Sequence, residues 1–313
     1  MNKSKVPITK KRAISSAAKR QFRERSMERY MGLAFRQLAR EGQLTSAHNL
    51  GHVQRVSHYA GVYSAAVGGG ANVAHHARVA GWAHDRLRDP SDSMAQRAAG
   101  QKTHEALGAE FMSPMFKRRY SAKDAKAITE AMAKHGGLPK LDEVGRNVAR
   151  DGVVFADKFF EANGAYIAFR RSMFMGERAD WRKEMKARKI KLTDVQAVSD
   201  LAVEATLKET TKRIKAFSDL STIPKHMHGL VKYQVEWQHK LKKGLEVKDP
   251  GTVKLVTFMF REGLKKQPRD LAVAIKSYRP IGQLDAAFKL EAEKYLSGKL
   301  AETFTKLIKK PKK

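Results

Sequence analysis

The spacing of apolar residues along the chain predicts helices rather than strands. Between Gly51 and Val67, apolar side chains recur every three or four positions, which places them on one face of a helix. A second such run extends from Val73 to Leu87 after three consecutive glycines, and Asn72 is predicted to cap its start. This part of the chain shows no convincing alternation of apolar and polar residues, so the predicted fold class is all-α.

The same periodicity predicts helices in most of the rest of the chain. In order, the remaining predicted helices cover residues 21–39, 103–113, 122–134, 145–175, 252–264 and 284–308. Residues 177–191 are mostly charged and are predicted to form an exposed lid or linker helix. Thr193 and Gln196 have the spacing of a capping box, which predicts that a helix begins there.

Shifts in composition divide the chain into three predicted parts. Residues 1–20 are basic and lack apolar periodicity, so we expect a flexible arm. Residues 21–176 carry the clearest helical pattern and are predicted to form one domain. Residues 177–313 are predicted to be a basic, helical C-terminal extension or second domain, for which the sequence indicates no role.

The overall composition excludes several classes of protein. The 313 residues are 42% hydrophobic, which is enough for a core and excludes wholesale disorder. The absence of cysteine excludes disulfides, thiolate metal sites and a cysteine nucleophile. No apolar run approaches the ~20 residues of a membrane span and no signal peptide follows Met1, so we expect a cytoplasmic protein without membrane contact. The acid-poor start also resembles a transit peptide, which makes an organelle the less favoured location.

The chain carries a formal net charge of +30, concentrated towards its two ends. Residues 1–45 contain 12 basic and 3 acidic side chains, and residues 239–313 contain 19 and 8, which together give about two thirds of the excess. Such a distribution is typical of contact with phosphate backbones, where charge neutralisation dominates affinity. Nucleic acid or another polyanion is therefore a candidate partner through the basic termini.

Two histidines and two aspartates stand on predicted helical faces among small and apolar neighbours. They are His52, His84, Asp85 and Asp157. Because buried charge without a partner is costly, this pattern predicts that the four side chains share a divalent cation. Imidazole and carboxylate ligands together suit Mn, Fe, Co, Ni or Zn, and Mg is less favoured. Converging helices are also how all-α folds build metal sites.

Three blocks, in the same order, resemble the HD superfamily of metal-dependent phosphohydrolases. GHVQRV at 51–56 resembles the H-x-x-R-V start of its small bacterial branch that hydrolyses nucleotides. ARVAGWAHD at 77–85 resembles the alanine-rich helix that ends in His-Asp, and FADKFFEANGA at 155–165 resembles the D-A-D-[RK]-L-[ED]-A-x-G-A segment. The resemblance covers about residues 46–176. It implies an HD-type helical bundle in which the four side chains above bind the metal.

Two positions depart from the family pattern. Phe155 replaces the first aspartate of the D-A-D segment, and Arg86 replaces the small or apolar residue that usually follows the His-Asp pair. Neither change removes a metal ligand, but both alter the pocket that the resemblance implies. Loss of activity with retention of the fold is the alternative, against which the complete ligand set argues.

Other histidines fall between the His-Asp pair and Asp157. HD enzymes with two metals place histidines in that interval, so His104 and His135 are candidates for a second metal beside the one that we favour. His75 and His76 are instead predicted to lie on a helix surface.

The helical spacing also nominates residues for catalysis and substrate binding. Asp89 lies one turn after Asp85, and Glu161 lies one turn after Asp157, so these two carboxylates are candidates for proton transfer. Cations are needed to hold the phosphates of the substrate. The candidates are Arg55, Lys158 and Arg88.

The favoured function is hydrolysis of a phosphate ester or anhydride of a nucleotide by a metal-activated water. One alternative is a nucleic-acid-binding protein that uses the HD fold as a scaffold. Another is a phosphodiesterase or nuclease that acts on RNA or DNA held by the basic termini. The particular ester, the metal and the oligomeric state are left open by the sequence.

Overall fold

The computed structural model describes residues 15–40, 48, 50–87, 102–160 and 164–264. Within these ranges the chain forms eleven α-helices and no strand, which confirms the all-α prediction. The helices are α1 (Ser16–Arg40), α2 (Leu50–Ala66), α3 (Gly70–Ala83), α4 (His104–Arg119), α5 (Ala122–Ala133), α6 (Val148–Phe155), α7 (Gly164–Glu177), α8 (Ala179–Ala187), α9 (Val195–Ser218), α10 (His228–Glu246) and α11 (Pro250–Leu264). None of the helices in these ranges combines the length and hydrophobicity that crossing a membrane requires.

Helices α2 and α3 form a close antiparallel pair. A Cβ atom on Gly81 would lie 2.7 Å from the Cα atom of Ser57, so only glycine allows the backbones to approach this closely. The Ser57 hydroxyl donates a hydrogen bond to the Arg78 carbonyl at 2.9 Å across the same contact. The pair is joined by a tight turn in which Gly68 and Gly70 have positive φ angles of 90° and 69°.

The start of α3 differs from the prediction. The helix begins at Gly70, and Gly69 stands at the N-cap position without a side-chain cap, so the prediction that Asn72 caps this helix is wrong. Asn72 lies inside the first turn and accepts a hydrogen bond from Arg20 at 3.0 Å instead. At its other end α3 stops at Ala83, four residues earlier than predicted, and residues 84–87 form a turn.

The predicted continuous helix over residues 145–175 is also wrong. After α6 the chain forms a π-helical turn at Ala156–Phe160 before α7 begins. A π turn bonds residues five apart and brings them to the same side. Phe155 and Phe160 are such a pair, and both rings pack against Tyr63, with ring centroids 5.1 and 6.1 Å away. Burial of these two rings on one tyrosine therefore accounts for the interruption.

Helix α1 begins at Ser16, so the predicted flexible arm is wrong for residues 16–20, whereas residues 1–14 lie outside the described ranges. Glu24 joins α1 to α3, since its carboxylate accepts hydrogen bonds from His75 at 2.8 Å and from Arg78 at 3.3 Å. His75 and His76 are only 2% and 7% exposed, so the prediction that they lie on a helix surface is wrong. The covering helix and its carboxylate explain the difference.

The described helices build two large hydrophobic clusters. The first is formed mainly by α1 to α6 and the second by α7 to α11. Helix α10 serves both, because Leu230 and Val231 near its start lie in the first cluster and Leu241 and Leu245 near its end lie in the second. The predicted division of the chain at residue 176 stays a prediction.

The second cluster includes part of the segment that was predicted to be an exposed lid. Residues 179–187 are helical as predicted, but Trp181 on this helix is only 7% exposed and packs into the cluster. The predicted capping box at Thr193 is wrong, because Asp194 caps α9 by accepting a hydrogen bond from the Ala197 amide at 3.0 Å. Helix α11 confirms the prediction for residues 252–264, and the predicted helix at 284–308 lies outside the described ranges.

The close contact at Gly81 predicts a large response to a single methyl group. We expect Gly81→Ala to lower the free energy of unfolding by about 1–3 kcal/mol, because the added carbon must push α2 away from α3. Gly32→Ala is the matched control, since a Cβ atom there meets nothing within 4 Å and alanine favours the helix by about 1 kcal/mol. Urea unfolding of both variants measures this, and equal stability of the two would contradict the described contact.

The acid side of the stability profile is predicted to depend on Glu24. Burial raises the pKa of this carboxyl, but the hydrogen bond from His75 and the charge of Arg78 outweigh it, and the net pKa lies below the ordinary value. Such a group stabilises the fold above the pKa of an unfolded glutamate, about 4.3, and this contribution disappears as the pH falls through the lower folded pKa. Glu24→Gln should therefore reduce stability at pH 7 and approach the wild type below about pH 4.

Glu28→Gln provides the control for that measurement, because Glu28 is an exposed carboxylate on the same helix. Thermal unfolding followed between pH 3 and 7 compares the three proteins. A Glu24→Gln profile that runs parallel to the wild type at every pH would show that the ion pair does not stabilise α1.

Candidate metal centre

Five segments of the first cluster bring histidines and carboxylates to one place. His52 lies in the first turn of α2, and His84 and Asp85 occupy the turn that follows α3. The other contributors are His104 and Glu105 at the start of α4, His135 just after α5, and Asp157 in the π turn. These helices pack their apolar faces together, and this packing buries the helix ends that carry the polar groups. The polar groups therefore meet in the interior.

One oxygen of Asp85 lies between two histidines. Asp85 Oδ2 is 3.1 Å from Nε2 of His52 and 3.2 Å from Nε2 of His84, and the two Nε2 atoms are 3.1 Å apart. Oδ1 of Asp157 lies 3.6 Å from Nε2 of His52. Three of the four side chains are almost fully buried, and that of Asp157 is 14% exposed. The structure therefore brings together all four metal ligands that the sequence predicted.

The other oxygen of Asp85 faces a second pair of histidines. Asp85 Oδ1 lies 3.5 Å from Nε2 of His104 and 3.8 Å from Nε2 of His135. Glu105 Oε2 lies 3.3 Å from Nδ1 of His104, and all three of these side chains are buried. The two histidines named as candidates for a second metal are thus adjacent to the first group, and a single carboxylate contacts both groups.

The hydrogen bonds of the imidazoles show which nitrogen atoms are available as ligands. Nδ1 of His84 lies 2.8 Å from the Gly81 carbonyl, and Nδ1 of His135 lies 2.5 Å from the Met132 carbonyl. Because a carbonyl oxygen only accepts, each Nδ1 carries a proton, and in the neutral imidazole Nε2 then carries a lone pair. These lone pairs point towards the carboxylate of Asp85, and two acceptors repel each other unless a proton or a metal cation lies between them. The donor chemistry of the group therefore fits a metal ion.

The pKa values of His84 and His135 are shifted in opposite directions. Burial lowers the pKa of His84, but the negative charge of Asp85 outweighs this effect and the net pKa is raised. Burial also lowers the pKa of His135, and there it dominates, so that this imidazole is neutral at pH 7. The pKa of Asp157 lies well below its ordinary value, because Lys158 and the neighbouring histidines outweigh the cost of its burial. The centre thus combines ionised carboxylates with a field that favours positive charge.

Four overlapping groups of donor atoms in the described part of the chain are close enough to bind a metal ion. In each group the donor atoms lie within 4.8 Å of one another. The groups are His48, His52 and Asp85; His52, His84 and Asp157; His84, Asp85 and His135; and His104, Glu105 and His135. These buried histidines and carboxylates can hold a metal ion.

Two residues of these groups were missed by sequence reasoning. Glu105 directly follows His104, and a carboxylate next to a candidate metal ligand is the sequence signal that points to it. His48 precedes His52 by four residues, a spacing that places two residues on one helical face. Its ring lies 5.3 Å from that of His52, and its Nδ1 lies 3.6 Å from Oε2 of the buried Glu177.

The other predicted site residues have different outcomes. Lys158 lies at the centre, as expected for a residue that binds a substrate phosphate. Its ammonium group, however, pairs with Asp157 at 2.6 Å. Arg55 lies on α2 one turn after His52 and is half-buried. Three predicted residues lie outside the described ranges, namely Arg88, Asp89 and Glu161.

The two departures from the family pattern are accommodated without loss of a donor. Phe155 is a core side chain whose ring packs against Tyr63. The guanidinium carbon of Arg86 lies 5.1 Å from the centre of the Phe111 ring, so this arginine stacks on α4 beside Asp85.

Comparison of the chain with protein families, with curated proteins and with solved structures gives no match in any of the three. The geometry of this site and the sequence blocks that form it are therefore the features that indicate a function.

The shared carboxylate predicts how metal content responds to substitution. We expect purified wild-type protein to retain Mn, Fe, Co, Ni or Zn, and Asp85→Asn to lose most of it, because one carboxylate contacts both histidine pairs. Glu105→Gln should lower only the content due to the second group. Elemental analysis after dialysis measures the metal per chain.

His239→Ala is the control, because His239 is an exposed histidine on α10, far along the chain from the centre. Its metal content should equal that of the wild type. Wild-type protein that carries no metal after growth in medium supplemented with these ions would rule out the centre, provided that circular dichroism shows it to be folded.

Proposed function

We propose that the protein is a metal-dependent phosphohydrolase of the HD type, which hydrolyses a phosphate ester or anhydride of a nucleotide. The arrangement that carries the proposal is the buried carboxylate of Asp85 with His52 and His84 on one oxygen and His104 and His135 on the other. The blocks around His52, Asp85 and Asp157, which resemble the HD superfamily, supply the reaction class. Helices α2 to α6 would form the HD-type bundle.

The proposed reaction uses the centre in a simple way. A divalent cation held by these ligands would act as a Lewis acid on a phosphoryl oxygen and would activate a water for attack on phosphorus. Asp85 would position both histidine pairs, since each of its oxygens faces a different pair. The hydrogen bonds to the carbonyls of Gly81 and Met132 orient His84 and His135, so that both rings present Nε2 to the centre.

Lys158 would act at the edge of this centre. Its side chain is 25% exposed, so the ammonium group reaches solvent while it contacts Asp157. A substrate phosphate that approached from this side would meet one cation already oriented by a metal ligand. Arg55 and Arg88 are proposed as further phosphate ligands, and Asp89 and Glu161 as the groups that transfer protons.

The proposal predicts turnover that requires Asp85. Wild-type protein with added Mn²⁺ should release phosphate from at least one member of a panel of nucleoside mono-, di- and triphosphates. Asp85→Asn should reduce kcat/KM by about 10³-fold or more, because the loss of several kcal/mol of transition-state stabilisation by the metal corresponds to a factor of this size. His239→Ala should remain fully active.

Lys158→Met separates two roles in the same assay. If Lys158 binds substrate, KM rises by about tenfold while the metal content is unchanged. A fall in metal content would instead show that its role is to support Asp157. Wild-type protein that retains metal but hydrolyses no nucleotide in the panel would overturn the proposed substrate class, and metal-free protein would overturn the reaction class.

A further inference from the structure

A second polar cavity lies away from the metal centre, where the first half of α1 crosses the first half of α3. Its volume is about 140 Å³. It is lined by Ser16, Lys19, Arg20, Arg23, Asn72, His75, His76 and Asp124. His76 lies on α3 eight residues before the metal-centre residue His84, which corresponds to about 12 Å along a helix axis. The cavity is therefore separate from the centre.

The charges around this cavity are unbalanced. Lys19, Arg20 and Arg23 all reach it from α1, and Asp124 is the single acidic residue among its lining side chains. Burial is the main cause that lowers the pKa of His76, and the charge of Arg23 lowers it further against the opposing effect of Asp124. His76 is thus neutral at pH 7. Three cations and one carboxylate line the cavity, and the carboxylate of Glu24 lies 2.8 Å from Nδ1 of the lining residue His75.

Two of the three cations are held in place by neighbours that carry no charge. Arg20 donates a hydrogen bond to Oδ1 of Asn72 at 3.0 Å, and the guanidinium carbon of Arg23 lies 4.6 Å from the centre of the Tyr120 ring. Neither contact neutralises the guanidinium. Both fix its orientation, so that little conformational entropy is lost when an anion binds to the remaining N–H groups.

The spacing of the basic residues along α1 is unfavourable for the helix on its own. Lys19 and Arg23 are four residues apart on α1, and Arg20 and Arg23 are three apart, so like charges lie next to each other on one helical face. Such pairs destabilise an isolated helix. Glu24, four residues after Arg20, is engaged by His75 and Arg78, so an anion between the basic side chains would relieve their repulsion. A tetrahedral anion with several acceptor oxygens matches the two guanidinium groups, the ammonium group and the Ser16 hydroxyl that line the cavity.

We propose that this cavity binds a phosphate group in the backbone of a polynucleotide. The phosphodiester is favoured over a free anion because the chain carries a formal net charge of +30, and a strand with several phosphates contacts more of that charge than one free anion does. The site is independent of the proposed hydrolase activity.

The test is binding of a fluorescein-labelled single-stranded DNA 12-mer to the full chain without added divalent metal, measured by fluorescence anisotropy at several salt concentrations. Arg20→Gln/Arg23→Gln should weaken binding by about tenfold or more. It should also reduce the slope of log K against log salt by about 1.4, since two phosphate contacts to a single strand are lost. Asn72→Ala, which removes no charge, should weaken binding several-fold because Arg20 loses its orienting acceptor.

Lys183→Gln/Lys186→Gln is the charge-matched control, because both lysines are exposed on α8, outside the two basic terminal segments. An equal loss of affinity in the control and in the arginine pair would show that binding depends only on overall charge, which overturns the proposal. Displacement of the 12-mer by micromolar inorganic phosphate would overturn it in favour of a small anion, and no measurable binding by the wild type would overturn it outright. Asp85→Asn should still bind the 12-mer, which separates this site from the metal centre.

Discussion

The buried carboxylate of Asp85 is the interaction on which the arrangement of the first cluster depends. Its two oxygens face four histidines that come from α2, α3, α4 and the end of α5. A carboxylate in such a position is stable only if positive charge or hydrogen-bond donors surround it, because its desolvation costs several kcal/mol. Protonated imidazoles or a bound cation held by the imidazoles meet this need, so the helices that carry the histidines must meet at this point.

Close packing of the backbone makes this convergence geometrically feasible. Gly81 allows α3 to approach α2 at Ser57, and the carbonyl of the same glycine orients His84. One residue thus sets both the distance between two helices and the tautomer of a metal-site histidine. The π turn has a similar double effect, because it aligns two core phenylalanines and holds Asp157 between them.

The sequence predicted the starts of several helices, and the structure brings together the four side chains that it nominated as donors, since both follow from local patterns. Apolar periodicity located α2, α4, α5 and α11 to within a few residues at their starts, and the four primary donors were identified by type and context. What it could not predict depends on contacts between distant segments. His75 is buried because Glu24 and Tyr120 contact it from other segments. Asn72 does not cap the start of α3, because its side chain accepts a hydrogen bond from Arg20 on α1. No local sequence rule predicts the π turn, since the residue that packs on its phenylalanines is Tyr63, on a different helix.

Helix α10 links the two hydrophobic clusters mechanically. At 19 residues it is about 28 Å long, and its opposite ends are buried in different clusters. Because both clusters pack on this one helix, unfolding of α10 exposes apolar side chains in both clusters. The described part of the chain is therefore expected to unfold as one cooperative unit, and a fragment that stopped before α10 would leave part of the first cluster uncovered.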